Sequence, residues 1–241
     1  MSVNNKIMDA LGEQGYTGSI NERIQANLFD LYGEANINVG LSKAGGFKRY
    51  VSDLTGVEYV AQLDGATQSW VLSGPITAPA NTDFKASFYI SGVNDGYEGL
   101  FSSPDPQSWL RLLPSNNSVN LQGQLGAGYY QAVPFSELNI RDGVTRKLSI
   151  ERVAGRMRFV IDDTFVFNSS TLSSEFTVQT LAKFGSDLFG GTIYGFEFEL
   201  NGVLTNQIPL TNKAQGATQL ATVGSVNATM IGYDPSVWII K

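Results

Sequence analysis

Two glutamates in one short stretch are the residues whose spacing could support catalysis. Glu197 and Glu199 stand two positions apart, so in a β-strand they share one face, about 7 Å from each other. That separation suits an inverting glycoside hydrolase, in which one carboxyl group acts as the acid and the other as the base. The simpler interpretation, which we favour, is the solvated polar face of a strand whose other face carries Phe198 and Leu200.

A second group of residues could bind a sugar. It consists of Trp109, Arg111, Tyr129 and Tyr130. If Leu110 and Leu112 face the core, Trp109 and Arg111 lie on the opposite face of the sheet, because side chains alternate along a strand. A flat aromatic ring beside a guanidinium can stack on a sugar and hold its hydroxyl groups. In the alternative, a loop or the amino-terminal helices bury Trp109, and the two tyrosines with it.

The composition removes several other kinds of chemistry. The 241-residue chain has no histidine and no cysteine, which excludes a Ser-His-Asp triad, a thiolate or two-histidine zinc site and a disulfide framework. Only oxygen-ligand sites, suited to calcium or magnesium, remain open. The net charge of −6 repels phosphate backbones and anionic lipid, so we expect neither a nucleic-acid nor a membrane partner.

The sequence also shows no targeting segment. The amino terminus, MSVNNKIMDALGEQG, lacks the basic start and apolar run of a signal peptide. No stretch approaches the roughly 20 apolar residues of a membrane span. We therefore expect a soluble protein that is made in a cytoplasm.

An amphipathic helix is predicted over Ile20–Tyr32, after a shorter one over Lys6–Leu11. Ser19 is a good N-cap, and Glu22 three residues later completes a capping box. The apolar stripe of the longer helix consists of Ile20, Ile24, Leu28 and Leu31. Two short helices are not stable alone, so we expect the stripe to dock on the rest of the chain, on a second copy or on another protein.

An antiparallel hairpin is predicted over Arg146–Phe167, with a tight turn at Ala154-Gly155. The apolar cross-strand pairs are Leu148–Ile161 and Ile150–Phe159, and the charged pairs are Glu151–Arg158 and Lys147–Asp162. Side chains alternate with period two, so a one-residue slip would set apolar against polar residues across every rung. We interpret the hairpin as scaffold whose outer face is closed by paired charges.

The chain from Glu58 onward has the pattern of a β protein. Strands such as Phe84–Ile90 recur about every 8–12 residues with turn signals between them. The fold class predicted is mainly β, a two-sheet antiparallel jelly-roll sandwich preceded by a short helical segment. We divide the chain into an anchoring helical segment (1–33), a linker (34–57), the sandwich (58–210) and a C-terminal extension with a terminal strand (211–241).

Four motifs in the sandwich follow one another in a familiar order. They are Leu63-Asp64-Gly65 before Trp70-Val71-Leu72, then Gly99–Ser103, Leu148–Asp163 and Gly190–Leu200. On these residues the run from Glu58 to about Pro209 resembles the concanavalin A-like family of laminin-G domains, lectins and glucanases. The resemblance implies a concanavalin A-like sandwich without a required cofactor.

That family also implies two kinds of site. Some of its members bind calcium at one rim of the sandwich, and the candidate ligands here are Asp95, Asp105, Asp162 and Asp163. The simpler interpretation of Asp162-Asp163 is the turn after a strand, where aspartate is favoured. Its glucanases carry their carboxylates on one strand face in a three-carboxylate motif. The third carboxylate is absent after Glu199, so the resemblance does not extend to the glucanase active site.

The amino terminus resembles a different group of proteins. Gly15–Arg23, leading to Tyr32-Gly33, is similar to short helical modules repeated in tailed-bacteriophage tail and virion proteins. The run from Gly202 to Trp238 is similar to the ends of phage-encoded sandwich proteins. Together they imply a non-enzymatic virion structural protein, such as a tail-fibre, head-fibre or decoration component, located in the virion and assembled in the host cytoplasm.

The resemblance also implies partners. Residues 1–33 would dock on other virion proteins through the apolar stripe, the chain would form a homo-oligomer, and the displayed sandwich would attach to a host-surface glycan near Trp109. Two alternatives stay open: a glycoside hydrolase that uses Glu197 and Glu199, and a purely structural decoration subunit that binds no ligand.

Overall fold

The computed structural model describes residues 3–32, 36–37, 40–41, 58–93, 96–103, 108–113, 119–125, 128–135, 142–171 and 173–241. The chain divides into two compact units, residues 1–59 with 240–241 and residues 60–239. The linker predicted over 34–57 lies almost entirely outside the described residues. None of the helices in the described ranges has the length and apolar content that crossing a lipid bilayer requires.

The first unit contains two helices, α1 (Val3–Glu13) and α2 (Ile20–Tyr32). The predicted bounds of α2 are confirmed, and its capping box is formed. Ser19 N donates to Glu22 Oε2 at 2.7 Å, and Glu22 N lies 3.4 Å from Ser19 Oγ. α1 is longer than predicted, because it continues past Gly12.

The two helices share a small core of their own. Its buried members are Ile7, Leu11, Ile24 and Leu28. Polar contacts between the helices add to it: Arg23 Nη1 donates to Met8 O at 3.0 Å and Asn27 Nδ2 to Gln14 Oε1 at 3.2 Å. The apolar stripe of α2 is therefore used largely within the helical pair.

The other described residues contain eighteen strands and two short 3-10 helices, Lys213–Gln215 and Pro235–Val237. In chain order the strands are β1 (Tyr59–Asp64), β2 (Ser69–Ala78), β3 (Phe84–Ser91), β4 (Glu98–Ser102), β5 (Ser108–Leu112), β6 (Val119–Leu125), β7 (Gly128–Phe135), β8 (Arg146–Val153), β9 (Arg156–Ile161), β10 (Thr164–Thr171), β11 (Phe176–Leu181), β12 (Lys183–Phe184), β13 (Asp187–Leu188), β14 (Gly190–Leu200), β15 (Val203–Ile208), β16 (Thr218–Gln219), β17 (Ala228–Ile231) and β18 (Trp238–Ile240).

Within the described residues these strands form two large sheets and one small hairpin. The first sheet has the order β10-β9-β8-β3-β14-β1-β18, and β15 also pairs with β14. The second has the order β16-β17-β2-β11-β4-β5-β6-β7, while β12 pairs only with β13. β3 and β14 are antiparallel neighbours although about a hundred residues separate them in sequence. Such long-range pairing is typical of a jelly-roll sandwich.

Aromatic side chains from both sheets meet in the core. Phe84 of β3 stacks on Phe176 of β11 with ring centroids 4.2 Å apart, and Phe101 of β4 meets Phe176 edge-on at 5.6 Å. Offset and edge-on pairs of this kind add to the free energy gained from burial. Since these rings bridge the sheets, the predicted fold class is confirmed: a two-sheet antiparallel sandwich after a short helical segment.

The hairpin of β8 and β9 has the predicted register. Leu148 lies opposite Ile161, Ile150 opposite Phe159, and Glu151 opposite Arg158. Ala154 and Gly155 form the turn with φ values of 49° and 75°, a positive-φ pair that suits a tight hairpin.

The charged partners of this hairpin differ from the prediction. Glu151 forms its ion pair with Lys85 of β3 at 3.2 Å, and Lys147 pairs with Glu197 of β14 at 3.8 Å. The ion pairs predicted for Glu151 and Lys147 were wrong, because β3 and β14 continue the same sheet beside β8 and supply other partners. Asp162 still binds within the hairpin, since it accepts from Lys147 N at 2.9 Å and pairs with Arg146 Nη1 at 3.1 Å. The outer face of the hairpin is therefore part of a wider surface.

A fully buried arginine closes one end of the sandwich. Arg152 of β8 is 0% exposed. Its guanidinium donates to the carbonyl oxygens of Thr82 (2.6 Å), Ser174 (2.5 Å) and Pro79 (2.5 Å). Burial lowers the pKa of Arg152, while the charge of Asp83 opposes that change. Three loop carbonyls thus accept hydrogen bonds from one guanidinium, whose planar group of N–H donors has the fixed geometry for several acceptors at once.

The turn between β1 and β2 is organised by Asp64. Burial by itself would raise the pKa of its carboxyl group, but hydrogen bonds from Thr67, Ala66 and Gln68 together lower it to about 2. The three backbone N–H groups donate to Oδ1 at 2.9–3.1 Å. The ionised carboxylate is therefore part of the fold of this turn.

The residues after 210, which the sequence division treats as an extension, add strands to both sheets. β17 pairs with β2, so that Met230 lies opposite Trp70, and β18 lies beside β1. The terminal strand predicted over Ser236–Ile240 is present as β18.

Candidate functional site

Trp109 lies on the outer face of the second sheet, but it is covered. Leu110 and Leu112 are buried in the core, which places Trp109 and Arg111 on the opposite face, as predicted. Trp109 is only 7% exposed, because the ring of Phe184 in β12 stacks on it at 4.0 Å and 13°. The alternative of burial under a loop therefore describes Trp109, and its ring is not an open platform for a sugar.

A glycine allows the β12–β13 hairpin to cover this face. A Cβ atom at Gly99 would collide with the backbone of Lys183, Phe184 and Asp187. Gly99 lies opposite Arg111 in the β4–β5 register. A glycine inside a strand often marks the close approach of another backbone, and that is its role here.

Arg111 is surrounded by aromatic rings and one carboxylate. The centre of its guanidinium lies 4.7 Å from the ring centroid of Tyr97, 5.7 Å from that of Trp109 and 5.6 Å from that of Phe184. Its Nη1 donates to Asp187 Oδ2 at 2.6 Å. We call these five residues the Arg111 cluster.

Of the remaining sugar and metal candidates, the two tyrosines lie on a strand and the two aspartates Asp95 and Asp105 do not belong to the described residues. The structure pairs the backbones of Tyr129 and Tyr130 with Gln124 and Gly123 in the β6–β7 hairpin. In the part of the chain that is described, no group of three or more acidic side chains is arranged to hold a metal ion.

The predicted docking stripe is divided by the helical core. Ile24 and Leu28 are buried in it, and Ile20 packs against its edge. Leu31, in contrast, is 59% exposed. Of the four residues, Leu31 is thus the one that a partner can contact while the helices stay paired.

The outer face of the first sheet carries both glutamates in a polar array. This surface, which we call the outer polar face, consists of Lys85, Ser87, Tyr89, Lys147, Ser149, Glu151, Tyr194, Glu197 and Glu199. Strand register sets them in three transverse rows: Tyr194–Tyr89–Lys147, Glu197–Ser87–Ser149 and Glu199–Lys85–Glu151. The two serines of the middle row are buried, because the longer side chains of the neighbouring rows cover them.

Glu197 lies at one end of the middle row with unused hydrogen-bonding capacity. Its Oε1 accepts from Gln207 Nε2 at 2.9 Å. Its Oε2 has only longer contacts, 3.5 Å to Ser87 Oγ and 3.8 Å to Lys147 Nζ. The side chain is 29% exposed, and a carboxylate can accept about four hydrogen bonds, so Oε2 can accept one from a ligand hydroxyl.

A cation and an aromatic ring border the same position. Lys147 Nζ lies 5.7 Å from the centroid of the Tyr89 ring, and that ring stacks on Tyr194 at 5.2 Å. A Cβ atom at Gly195 would lie 3.0 Å from the Tyr89 ring, so the glycine leaves room for it. An acceptor, a donor and an aromatic surface thus meet on rigid strands.

Of the two glutamates, Glu199 borders a hollow in the described surface. Glu199 stands opposite Lys85 in the third row, beside an open hollow of about 410 Å³. That hollow is lined by Asp83, Lys85, Glu151, Arg152, Glu199 and Asn201 among others, and Glu197 is not one of its lining residues.

Sequence reasoning missed Ser87, Tyr89 and Lys147 as members of a site. The alternation of Lys85, Ser87 and Tyr89 with buried residues indicated an outward face, which was the available signal. It did not indicate that β14, with Glu197, is the neighbouring strand.

Comparisons with known proteins give similar folds. No protein-family model matches the chain, and no curated protein matches it. Among solved structures it is similar to a heptameric SAP-like pentraxin from Limulus polyphemus (13% identity, TM-score 0.46, covering 59% of this chain and 75% of that one). It is also similar to a putative carbohydrate binding protein from Bacteroides ovatus (13%, 0.46, 73% and 60%) and to chicken galectin 2 (11%, 0.38, 56% and 100%). Similarities this distant assign neither a family nor a ligand.

Proposed function

We propose that residues 60–239 form a non-enzymatic carbohydrate-binding module whose ligand lies on the outer polar face. The observation that carries the proposal is the meeting of Glu197 Oε2, Lys147 Nζ and the Tyr89 ring, with both polar groups about a quarter exposed. A carboxylate and an ammonium can receive and donate hydrogen bonds to the hydroxyl groups of one sugar, while an aromatic edge contacts its apolar carbons.

The charges of this face favour a neutral sugar. Lys147 is paired with Glu197 and Lys85 with Glu151, so neither ammonium is left as an uncompensated cation for a sulfated or carboxylated glycan. An anionic ligand would have to compete with these carboxylates, and like-charge contacts at an interface cost several kcal/mol.

A glycan array with four forms of the full chain tests the proposal. We expect the unmodified chain to bind neutral glycans, and Glu197→Gln and Tyr89→Ala to lose at least tenfold in affinity, about 1.4 kcal/mol. Glu175→Gln, an exposed glutamate at the start of β11, is the matched control and should bind normally. Absence of glycan binding, or equal loss in the control, would refute the proposal.

The hydrolase alternative has a separate test. Polysaccharides that bind are incubated with the chain, and new reducing ends are measured. We expect none. Hydrolysis that disappears in Glu197→Gln and in Glu199→Gln would replace the binding module with an enzyme.

We further propose that the module belongs to a tailed-bacteriophage particle, as a homo-oligomer anchored by its helical pair. The sequence similarity of Gly15–Arg23 to phage helical modules supports this, and the exposed Leu31 supplies a contact. In purified particles, Leu31→Asp should reduce the amount of incorporated protein, whereas Ala26→Asp, also exposed on α2, should not. Equal incorporation of both variants would contradict the anchoring role.

A further inference from the structure

The outer face of the second sheet presents one exposed tyrosine on a rigid support. Tyr97 directly precedes β4 and is 51% exposed, while the guanidinium of Arg111 lies over its ring at 4.7 Å. One ring face is therefore covered by the protein and the side chain still offers a large part of its surface to solvent.

The support beneath Tyr97 is fixed from several directions. Trp109 and Phe184 stack at 4.0 Å, and Arg111 lies against both rings. The ion pair of 2.6 Å with Asp187 ties Arg111 to the β12–β13 hairpin, which rests on Gly99. A ring held in this way loses little side-chain entropy when a ligand stacks on it.

An acceptor stands beside the ring. Asp187 Oδ2 receives Arg111 Nη1, and Oδ1 has no hydrogen-bond partner among the described residues. Asp187 and Tyr97 both contact the guanidinium of Arg111, so one fixed group holds the carboxylate and the ring. An aromatic surface next to a fixed carboxylate oxygen suits a ligand with an apolar ring face and hydroxyl donors at its edge.

Those chemical features favour a sugar over a protein side chain. Charged groups, Arg111 and Asp187, border the ring, and their side chains are 24% and 19% exposed. A protein partner would require a contiguous apolar patch of several hundred square ångströms, whereas a pyranose ring needs one aromatic surface and its polar border.

We propose that Tyr97 and Asp187 form a second carbohydrate subsite, for a neutral pyranose, on the side of the sandwich opposite the outer polar face. With both sites occupied, one chain bridges two glycan chains. The subsite uses no residue of the outer polar face, but the bridging activity rests on the function proposed above.

Stoichiometry tests the subsite directly. The full chain is titrated calorimetrically with neutral tetrasaccharides of glucose, galactose and N-acetylglucosamine, each too short to reach both faces. We expect two molecules bound per unmodified chain and one per Tyr97→Ala chain. Tyr97→Phe should retain two, and so should Ile231→Ala, a control that is 52% exposed on the same sheet. One molecule per unmodified chain, unchanged by Tyr97→Ala, would overturn the second subsite and leave the first.

The reciprocal variant separates the two proposals. A chain with Glu197→Gln and Tyr89→Ala should still bind one tetrasaccharide, at Tyr97, with the at least tenfold lower affinity that the array is expected to measure for these variants. Asp187→Asn should weaken that binding about tenfold further, the equivalent of one lost charge-assisted hydrogen bond. If this chain binds none although the unmodified chain binds one or two, the Tyr97 subsite is wrong. If the unmodified chain binds none, both proposals fail. Thermal melting of each variant shows that it is folded.

Bridging is measured with a long linear polysaccharide that contains the bound sugar. The unmodified chain should raise the turbidity of the polysaccharide solution, and Tyr97→Ala, with one site per chain, should bind it but raise the turbidity less. Equal turbidity with both forms would show that any cross-linking arises elsewhere, for example from oligomers.

Discussion

Removal of the Arg152 guanidinium should destabilise the sandwich more than any other single charge substitution that we consider. The side chain is fully buried and donates to three loop carbonyls, those of Thr82, Ser174 and Pro79. Arg152→Met keeps most of the apolar stem and removes every one of these donors. The substitution therefore isolates the hydrogen bonds from the packing of the side chain.

The magnitude follows from the groups left behind. The carbonyls that lose their donor belong to residues that are half-buried (Thr82 and Ser174) or exposed (Pro79), so each costs at most about 1–3 kcal/mol, while an uncharged methionine side chain avoids the cost of burying a charge. We expect a net loss of about 3–5 kcal/mol, the lower part of the sum for three carbonyls. Arg152→Lys should lose about half as much, because an ammonium cannot match the fork that reaches three carbonyls.

Urea denaturation followed by tryptophan fluorescence measures these losses, because Trp70, Trp109 and Trp238 are all buried and report on the folded sandwich. Arg156→Met is the matched control. Arg156 is exposed at the start of β9, and its substitution should change the free energy of unfolding by less than about 0.5 kcal/mol. A loss below about 1 kcal/mol for Arg152→Met, or equal losses for both arginines, would refute the reasoning.

Three further substitutions test other parts of the fold. Asp64 has a pKa of about 2 against an ordinary value of 3.8. The ionised carboxylate therefore stabilises the folded state above about pH 4, and this stabilisation is lost as the pH falls through the folded-state pKa. Asp64→Asn should lower the melting temperature at pH 7, and the melting temperature of the variant should depend less on pH between about pH 4 and 2. Gly99→Ala should lower the free energy of unfolding of the sandwich in urea by at least about 1–3 kcal/mol, because the added methyl group meets backbone atoms. Gly74→Ala, with open space around it, should lower it by less than about 0.5 kcal/mol. Equal losses for the two variants would contradict the role of Gly99. Leu28→Ala should destabilise the helical pair by about 2–5 kcal/mol and reduce its helical circular dichroism. Leu31→Ala, at an exposed position, should leave that circular dichroism unchanged. A helical signal that survives Leu28→Ala would argue against the shared core.

Local features of the fold were predictable from the sequence because their partners are close along the chain. The hairpin of β8 and β9 needs only a two-residue turn at Ala154-Gly155 and a period-two pattern to set its register. The capping box of Ser19 and Glu22 likewise spans three residues. In both cases the sequence contains the two partners within one short stretch.

The site depends on contacts that no short stretch contains. Glu197 meets Ser87 across 110 residues and Arg111 meets Asp187 across 76. The alternation of apolar and polar residues predicts that each of these side chains lies on an outward face. The order of the strands in the sheet decides which of the side chains are neighbours, and alternation does not give that order. The β12–β13 hairpin can cover Trp109 because Gly99 has no side chain. A glycine inside a strand indicates that another backbone comes close, but the sequence does not show which segment that is.

The apolar stripe of α2 shows the same limit in the helical unit. Its period predicted that Ile24 and Leu28 would be buried, and they are. Periodicity identifies a buried face but not what covers it, and here Ile7 and Leu11 of α1 do so. The stripe therefore predicts docking on the rest of the chain, on a second copy or on other virion proteins without selecting among them, and of its four residues Leu31 is the one that remains largely exposed.

The most direct test of the proposed function is to map the bound sugar on the surface. Backbone amide resonances of the labelled chain are recorded by NMR while a neutral tetrasaccharide that binds is added to Tyr97→Ala, so that only the first site is observed. We expect the largest shift changes at Ser87, Tyr89, Lys147 and Glu197. Changes confined to other surfaces, or none at these four residues at saturation, would contradict carbohydrate binding on the outer polar face.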